Sequence, residues 1–598
     1  MLAGGSYKIN PIESTMLINA NKSIVVTFES AITPTLSGST VAGWPDYLAM
    51  GAVGGPNTDP VAQVSSGGDD SFGGKPVDAV FKYAGVNGNG DPGVIDPPMN
   101  AIRMATDLTE VAKVNDRASR VVIVEYTGEM SGGENFADFT NTNVPNPNKQ
   151  NSTYIMARHF ASLAADAQAL VDKPVIKDGK KYYGSMILNP DLLGAMEQNG
   201  YIDSVNQQLP ANAVNTAVDQ ALCLLTNTRS YTNTATPNGD GNYIYKGKTY
   251  TGTPYQILSS MLNDGYPAWS ISGTSDAFWG TGIDNFKDES GNYSQMGQWF
   301  NTCVANPSYN KTKYVRPNFP AGFDGWVQAN NWLIRTFAAK SSGVTFAWQT
   351  NMWAVNSGFW LHNELSASDI AAQYSTKVSN WLKTYAPSTI MNVGSELAPD
   401  YFVFDRYEMD DSAAPGSATL YSARSWDNYL IAVGQVSKAF SNIPVMLWQI
   451  PGSHLPYTGE ANPELFNGTA GSYIFSTAPV YFFGDSNLKS DLSNLIMGNS
   501  AGTTNTAVGN YAMQSNYNCS ISNCNYQQYL KLYAGKANNY DWSRDNGKLA
   551  FAASNGVFAI LWGGGNTTNV IKNFSNPDDH GWLANKIKTY YQNPTYLK

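Results

Sequence analysis

The stretch DYFVFDRYEMDD, residues 400–411, runs aromatic and apolar residues straight into Asp405, Arg406, Tyr407, Glu408, Asp410 and Asp411. A buried parallel strand whose C-terminal end opens onto a polar site reads this way. Carboxyl groups end other apolar runs too: Glu125 and Glu129 follow RVVIV, Asp191 follows SMILNP, and Asp485 follows VYFFG. Two carboxyl groups on either side of a scissile linkage are what glycosidic bond cleavage needs, one protonated to release the leaving oxygen and one ionised as nucleophile or base. Glu408 is the leading acid, because an aromatic strand end raises a carboxyl pKa while Arg406 or Tyr407 orients the group. Period two places Arg406 and Glu408 on one side and Asp405 and Tyr407 on the other. Asp405 is then a supporting residue, or part of an Asp405–Arg406 charge network that closes the strand end. Glu125 shares parity with Glu129 and is either a second carboxylate of the same cavity or a structural cap. Asp191 and Asn189 suit a substrate hydroxyl or a catalytic water; the same Asn-Pro-Asp also makes ordinary turns.

A second chemistry ends three further apolar runs. Trp348, Gln349, Asn351 and Trp353 close one, Trp448 and Gln449 another, and Trp562 a third, before Gly563–Gly565. Amides make directional bonds to hydroxyls and indole faces stack on sugar rings; core packing is the competing use of the same residues. The triple glycine lacks GxGxxG and a following GK[ST], so it is no phosphate loop. His159, His362, His454 and His580 are scattered without an HExxH pattern. His454, after WQIPGS, either lines the groove or sits on a solvated loop.

Positioning these groups requires strands alternating with helices, and the chain supplies that alternation from Val77 onward. Strands are predicted at 77–85, 120–127, 184–191, 344–353, 401–408, 443–450, 480–483 and 557–562, with helices at about 100–114, 154–171, 367–385, 426–440 and 582–591. Eight strands with helices between most of them predict an α/β chain folded as a (β/α)8 TIM-type barrel, an open doubly wound sheet being the alternative. Residues 1–76, with one strand in SIVVTF, read as an N-terminal extension or small β subdomain. The barrel spans 77–598, with insertions at about 193–340 and 486–555, after the third and seventh predicted strands. Both leave from strand C-terminal ends and should wall a groove there.

Composition narrows the partners. With 37 Lys and Arg against 47 Asp and Glu, a formal charge of -10 and only 14% charged residues, the chain offers no basic patch for nucleic acid or anionic membrane. No apolar run approaches the roughly 20 residues of a membrane span. The start MLAGGSYKIN has no signal-peptide pattern, yet a surface rich in Asn, Thr, Ser and Gly leans towards a secreted or cell-surface protein. Cys519 and Cys524 lie close together and suit a local disulfide, whereas Cys223 and Cys303 stand apart. No cofactor is expected; NGNGDPG at 87–93 lacks EF-hand spacing.

With these strand ends placed, the sequence resembles secreted (β/α)8 glycoside hydrolases. VVIVEYTGEM followed by a helix and MILNPDLLGAM is similar in layout to paired strand ends of family 6 cellulases, with Glu125 and Glu129 where that family has Asp, and Asn189 where it has an acidic residue before Pro190. FDRYE resembles the carboxylate cluster of family 18 chitinases without the DxxDxDxE spacing. The resemblance implies a hydrolase of a β-linked polysaccharide such as cellulose or chitin, and the chain is expected to be a monomer. A non-catalytic glycan-binding barrel, a lectin or adhesin, is the alternative, and a structural surface protein a third.

Overall fold

The computed structural model describes residues 40–53, 77–83, 99–125, 152–199, 212–227, 243–265, 299, 302–352, 355–361, 363–385, 395–406, 421–452, 454–461, 476–490, 494, 540–563 and 582–597. Eight parallel strands close a barrel in sequence order: β1 (Ala49–Val53), β2 (Ala79–Tyr83), β3 (Arg120–Glu125), β4 (Ser185–Leu188), β5 (Thr345–Thr350), β6 (Tyr401–Asp405), β7 (Val445–Ile450) and β8 (Val557–Trp562), with β8 pairing back to β1. The predicted (β/α)8 TIM-type barrel is therefore present.

Two strand assignments are corrected. The first strand, AMGAV, lies within the stretch read as an N-terminal extension; its small residues give no β-branched run, yet all five are buried between β2 and β8. At its centre, a Cβ on Gly51 would crowd the Leu561 side chain and the Ala79 carbonyl. The segment 480–483, predicted as a strand, belongs instead to a six-residue helix, Ala478–Phe483. Four apolar residues do not separate strand from buried helix, and Pro479 in the first turn favours the helix. SIVVTF lies outside the described residues.

Helices α1 (Met99–Val114), α2 (Ser152–Asp172), α3 (Leu192–Asn199), α4 (Ala213–Thr226), α5 (Pro254–Asn263), α6 (Phe323–Phe337), α7 (Ala423–Ala439), α8 (Ala478–Phe483), α9 (Leu549–Ser554) and α10 (Trp582–Tyr590) account for most of the described helical residues. Between β5 and β6 the predicted helix is present as Ala367–Ile370 and Thr376–Tyr385 joined by a π turn at Ala371–Ser375. The long connections fall between β4 and β5 and between β7 and β8. Cys223 on α4 is disulfide-bonded to Cys303 across 80 residues, a pairing that sequence proximity did not suggest; Cys519 and Cys524 lie outside the described residues.

Contacts between non-adjacent strands show which side chains fill the barrel. The Ser185 and Tyr401 hydroxyls are 2.6 Å apart, Tyr401 and Phe558 rings 4.9 Å, and Phe81 and Trp448 rings 5.9 Å. Ser185, Thr345 and Tyr401 open their strands, so they form the N-terminal floor. Trp44 plugs that floor: its indole donates to Thr345 Oγ1 at 3.2 Å and packs 5.2 Å from the Phe558 ring, under the Arg120 guanidinium. The N-terminal end is thus filled by side chains; in barrel enzymes the chemistry sits at the opposite, C-terminal end.

Candidate functional site

Register carries the inward parity from the floor to the opposite rim. Tyr401, Val403 and Asp405 alternate inward on β6; Val403 pairs with Gln349 and Asp405 with Trp448. The rim of four consecutive strands thus carries Asp191 just past β4, Gln349 and Asn351 on and past β5, Asp405 ending β6, and Trp448 on β7. Asp405 and Gln349 are buried, as are Asn351 and Trp448, while Asp191 is half-buried.

Backbone geometry aims the β4 end. Asn189 and Asp191 both take left-handed φ, 46° and 69°, a conformation Asn and Asp tolerate better than most residues. The Asn189 N–H donates to the Glu125 carbonyl at 2.8 Å, which carries the chain over the top of β3. The turn delivers the Asp191 N–H to Gln349 Oε1 at 2.8 Å and sets Asp191 Oδ1 3.5 Å from Asn351 Nδ2. With its oxygen held by an N–H, Gln349 must present Nε2 as a donor, and that nitrogen is buried with no hydrogen-bond partner among the described residues. Asn351 lies directly over α3, where a Cβ at Gly194 would overlap its amide; a lone glycine in LLGAM gave no sign of this. Glu197 on the same helix is pushed up to about 8 by burial. The arc therefore offers a fixed amide donor beside two carboxyl groups and an indole, the equipment for gripping a hydroxylated ligand.

Several residues singled out in the sequence face elsewhere. Trp348 points to the helix layer: its indole donates to Asn331 Oδ1 of α6 at 2.8 Å and packs 5.7 Å from Trp326. Trp562 likewise packs on Phe482 and Phe483 of α8, at 5.7 and 5.8 Å between ring centroids. Both are fully buried, so neither is a stacking platform; a tryptophan next to an inward residue must face out. Glu125 pairs with Leu188, and Leu188 with Trp348, which puts Glu125 on the outward side and removes it from the shared cavity. Arg406 also turns outward, donating to Tyr421 Oη and Ser357 Oγ at 3.4 Å and lying 5.0 Å from the Tyr429 ring of α7. Asp405 and Arg406 thus project to opposite sides, against a charge network between these two neighbours. Gln449 takes φ 53° where the β7–β8 register shifts, and is buried at the rim. Asp485 follows α8 rather than a strand, with Oδ1 accepting from the Asn487 N–H at 3.0 Å. Glu408, Tyr407 and Glu129 lie outside the described residues.

No family model, curated protein or solved structure matches this chain.

Proposed function

We propose that this protein is a glycoside hydrolase that cleaves a β-linked polysaccharide of the cellulose or chitin kind at the C-terminal mouth of its barrel. The observation that carries this reading is the rim arc in which Asp191, Gln349, Asn351, Asp405 and Trp448 come from strands far apart in sequence onto one lumen end. Water adds across the bond: a carboxylic acid gives its proton to the departing glycosidic oxygen, and hydroxide equivalent joins C1 after a carboxylate accepts a proton from water, or after it has bonded C1 itself. Asp405 is the inward carboxylate of β6 and Asp191 holds a hydroxyl or the water; β6 ends at Asp405, so the alternation that would put Glu408 with outward Arg406 no longer binds it, and Glu408, three residues on, is the proposed acid. Gln349 Nε2 is the proposed donor to a sugar oxygen, whereas Trp448, as buried as Trp348 and Trp562, packs against Phe81 and walls the lumen beneath the arc rather than stacking on a ring. The Cys223–Cys303 bond suits an oxidising, extracellular setting, and a polysaccharide too large to enter a cell would be met there. Among the described residues no helix is long and apolar enough to cross a membrane.

The test is incubation of the purified chain with cellulose, chitin, xylan and mixed-linkage glucan, with chromatography of the soluble products. Oligosaccharide release that falls roughly 10²–10⁴-fold in Asp405→Asn and in Glu408→Gln is expected. Absence of release from every glycan by a folded chain overturns the reading, and tight glycan binding without release supports the non-catalytic glycan-binding alternative instead.

A further inference from the structure

Beyond the rim arc lies a second polar assembly, on the loop that leaves the C-terminal end of β7. His454 Nε2 is 2.7 Å from Glu460 Oε1, and Glu460 Oε2 accepts from the Tyr457 N–H at 3.3 Å. The loop is closed on itself by the Glu460 N–H donating to the Tyr457 carbonyl at 3.1 Å, and tied down by Thr458, whose N–H donates to the Asn494 carbonyl at 2.8 Å. The imidazole also stacks on Trp582, the first residue of α10, with centroids 5.3 Å apart and planes 12° apart. The stack fixes the plane of the ring and Glu460 fixes its rotation within that plane. His454 is only 2% exposed, and its Nδ1 is buried without a hydrogen-bond partner among the described residues.

A carboxylate accepts, so the Nε2 facing Glu460 carries a proton, and in the ring that holds only that one Nδ1 is a lone pair. Leaving such an atom buried and unmet costs about 1–3 kcal/mol, and both clamps on the ring hold it in that position. Among the described residues no three His, Cys, Asp or Glu side chains are grouped to hold a metal ion. We infer that His454 is a ligand-binding residue on the barrel rim, its Nδ1 accepting a hydrogen bond from a hydroxyl of a bound carbohydrate, and that Glu460 is its positioning residue. The inference takes its ligand class from the glycan reading above, but not its catalytic step.

Four histidines in the whole chain make the imidazoles resolvable. Long-range proton–nitrogen NMR on the histidine-labelled full chain carrying Asp405→Asn, so that added sugar is not consumed, is read with cellohexaose and with chitohexaose. His454, assigned by its disappearance in His454→Phe, is expected to show protonated Nε2 and bare Nδ1. The Nδ1 resonance should move towards the hydrogen-bonded range at saturation. His454→Phe keeps the ring stack and should weaken sugar binding about tenfold; Glu460→Gln should redistribute the tautomer without removing the ring. A Nδ1 resonance that saturating sugar does not move, a proton on Nδ1 in the free chain, or no binding of either sugar overturns the inference. Binding with the expected shift in a chain that, without Asp405→Asn, releases no sugar would sink the hydrolase reading alone.

Discussion

At the scale of single residues, parity decides what an aromatic or acidic side chain can do. Trp348 and Gln349 are neighbours in sequence, yet one bonds Asn331 in the helix layer and the other faces the lumen. Trp348→Phe should therefore destabilise the fold by about 1–3 kcal/mol, since Asn331 Oδ1 loses its donor in a dry site, while leaving any sugar release per folded molecule unchanged. Denaturant unfolding together with the glycan assay checks both halves. Glu197 supplies a pH dependence. Burial holds its carboxyl at about 8 against an ordinary value near 4.3, so between roughly pH 4.3 and 8 the unfolded chain has released a proton that the folded chain keeps. Its contribution to stability is accordingly lost as pH rises through that window and levels off above it. Glu197→Gln removes the titration: melting temperatures of the variant and the parent should agree in their offset below pH 4, with the variant gaining steadily up to about pH 8. An offset independent of pH would mean that Glu197 ionises normally in the folded chain.

At the scale of elements, the long connection between β4 and β5 is held by chemistry that periodicity does not reveal. The bond from Cys223 in α4 to Cys303 closes a loop of 80 residues, for which the chain-entropy picture assigns about 4–5 kcal/mol. Arg316 adds an ion pair to Asp219 of α4, with Tyr309 donating to the same carboxylate at 2.8 Å. Replacing both cysteines by serine should lower the melting temperature by several degrees and speed proteolysis within 212–337 before the barrel yields, as limited proteolysis with mass mapping would show. What the sequence made legible follows the same division. VVIVE, TFAWQT, YFVFD and VMLWQI were readable as strands because β-branched and aromatic runs end abruptly in polar residues, and Asp405, Gln349 and Trp448 at their ends do line the rim. AMGAV is not, because a strand buried between two others needs no large side chain, and VYFF reads as a strand although it belongs to the helix Ala478–Phe483, because four apolar residues satisfy either period. Outward Trp562 could not be foreseen from VFAILW alone: Phe558 has no partner in the β7–β8 register, which steps from Val557 to Ala559, and one extra residue inverts every side chain beyond it.

At the scale of the whole molecule, a barrel closed in sequence order brings its first and last strands together, and the segments flanking them, 46–50 and 591–597, are fastened on the side away from the site. Asp78, just before β2, is the fastening. Its Oδ1 accepts from Tyr47 Oη at 2.7 Å and its Oδ2 from Tyr591 Oη at 2.8 Å and the Met50 N–H at 3.0 Å. Arg117 stands 3.6 Å from the same carboxylate, donates to Tyr47 Oη at 2.6 Å and covers the Tyr591 ring at 3.6 Å. Burial, with Asp78 alongside, drives both tyrosine hydroxyls well above their ordinary titration range, so they remain donors at any physiological pH. The last residues add main-chain bonds, Leu48 N–H to the Thr595 carbonyl and Leu597 N–H to the Asp46 carbonyl, both at 2.8 Å. Asp78→Ala removes the acceptor from two part-buried hydroxyls and one buried main-chain N–H and the counter-charge from a half-buried guanidinium, so a loss of about 3–5 kcal/mol is expected. Asp78→Asn keeps the shape and one acceptor and should lose less. Because the fastening lies at the opposite end from Asp405, either variant should act through the fraction folded: activity per folded molecule at low temperature should stay constant while the denaturant midpoint falls. A change in sugar affinity or turnover in the folded Asp78→Asn chain, with its stability intact, would instead mean that the floor and the mouth of the barrel are coupled.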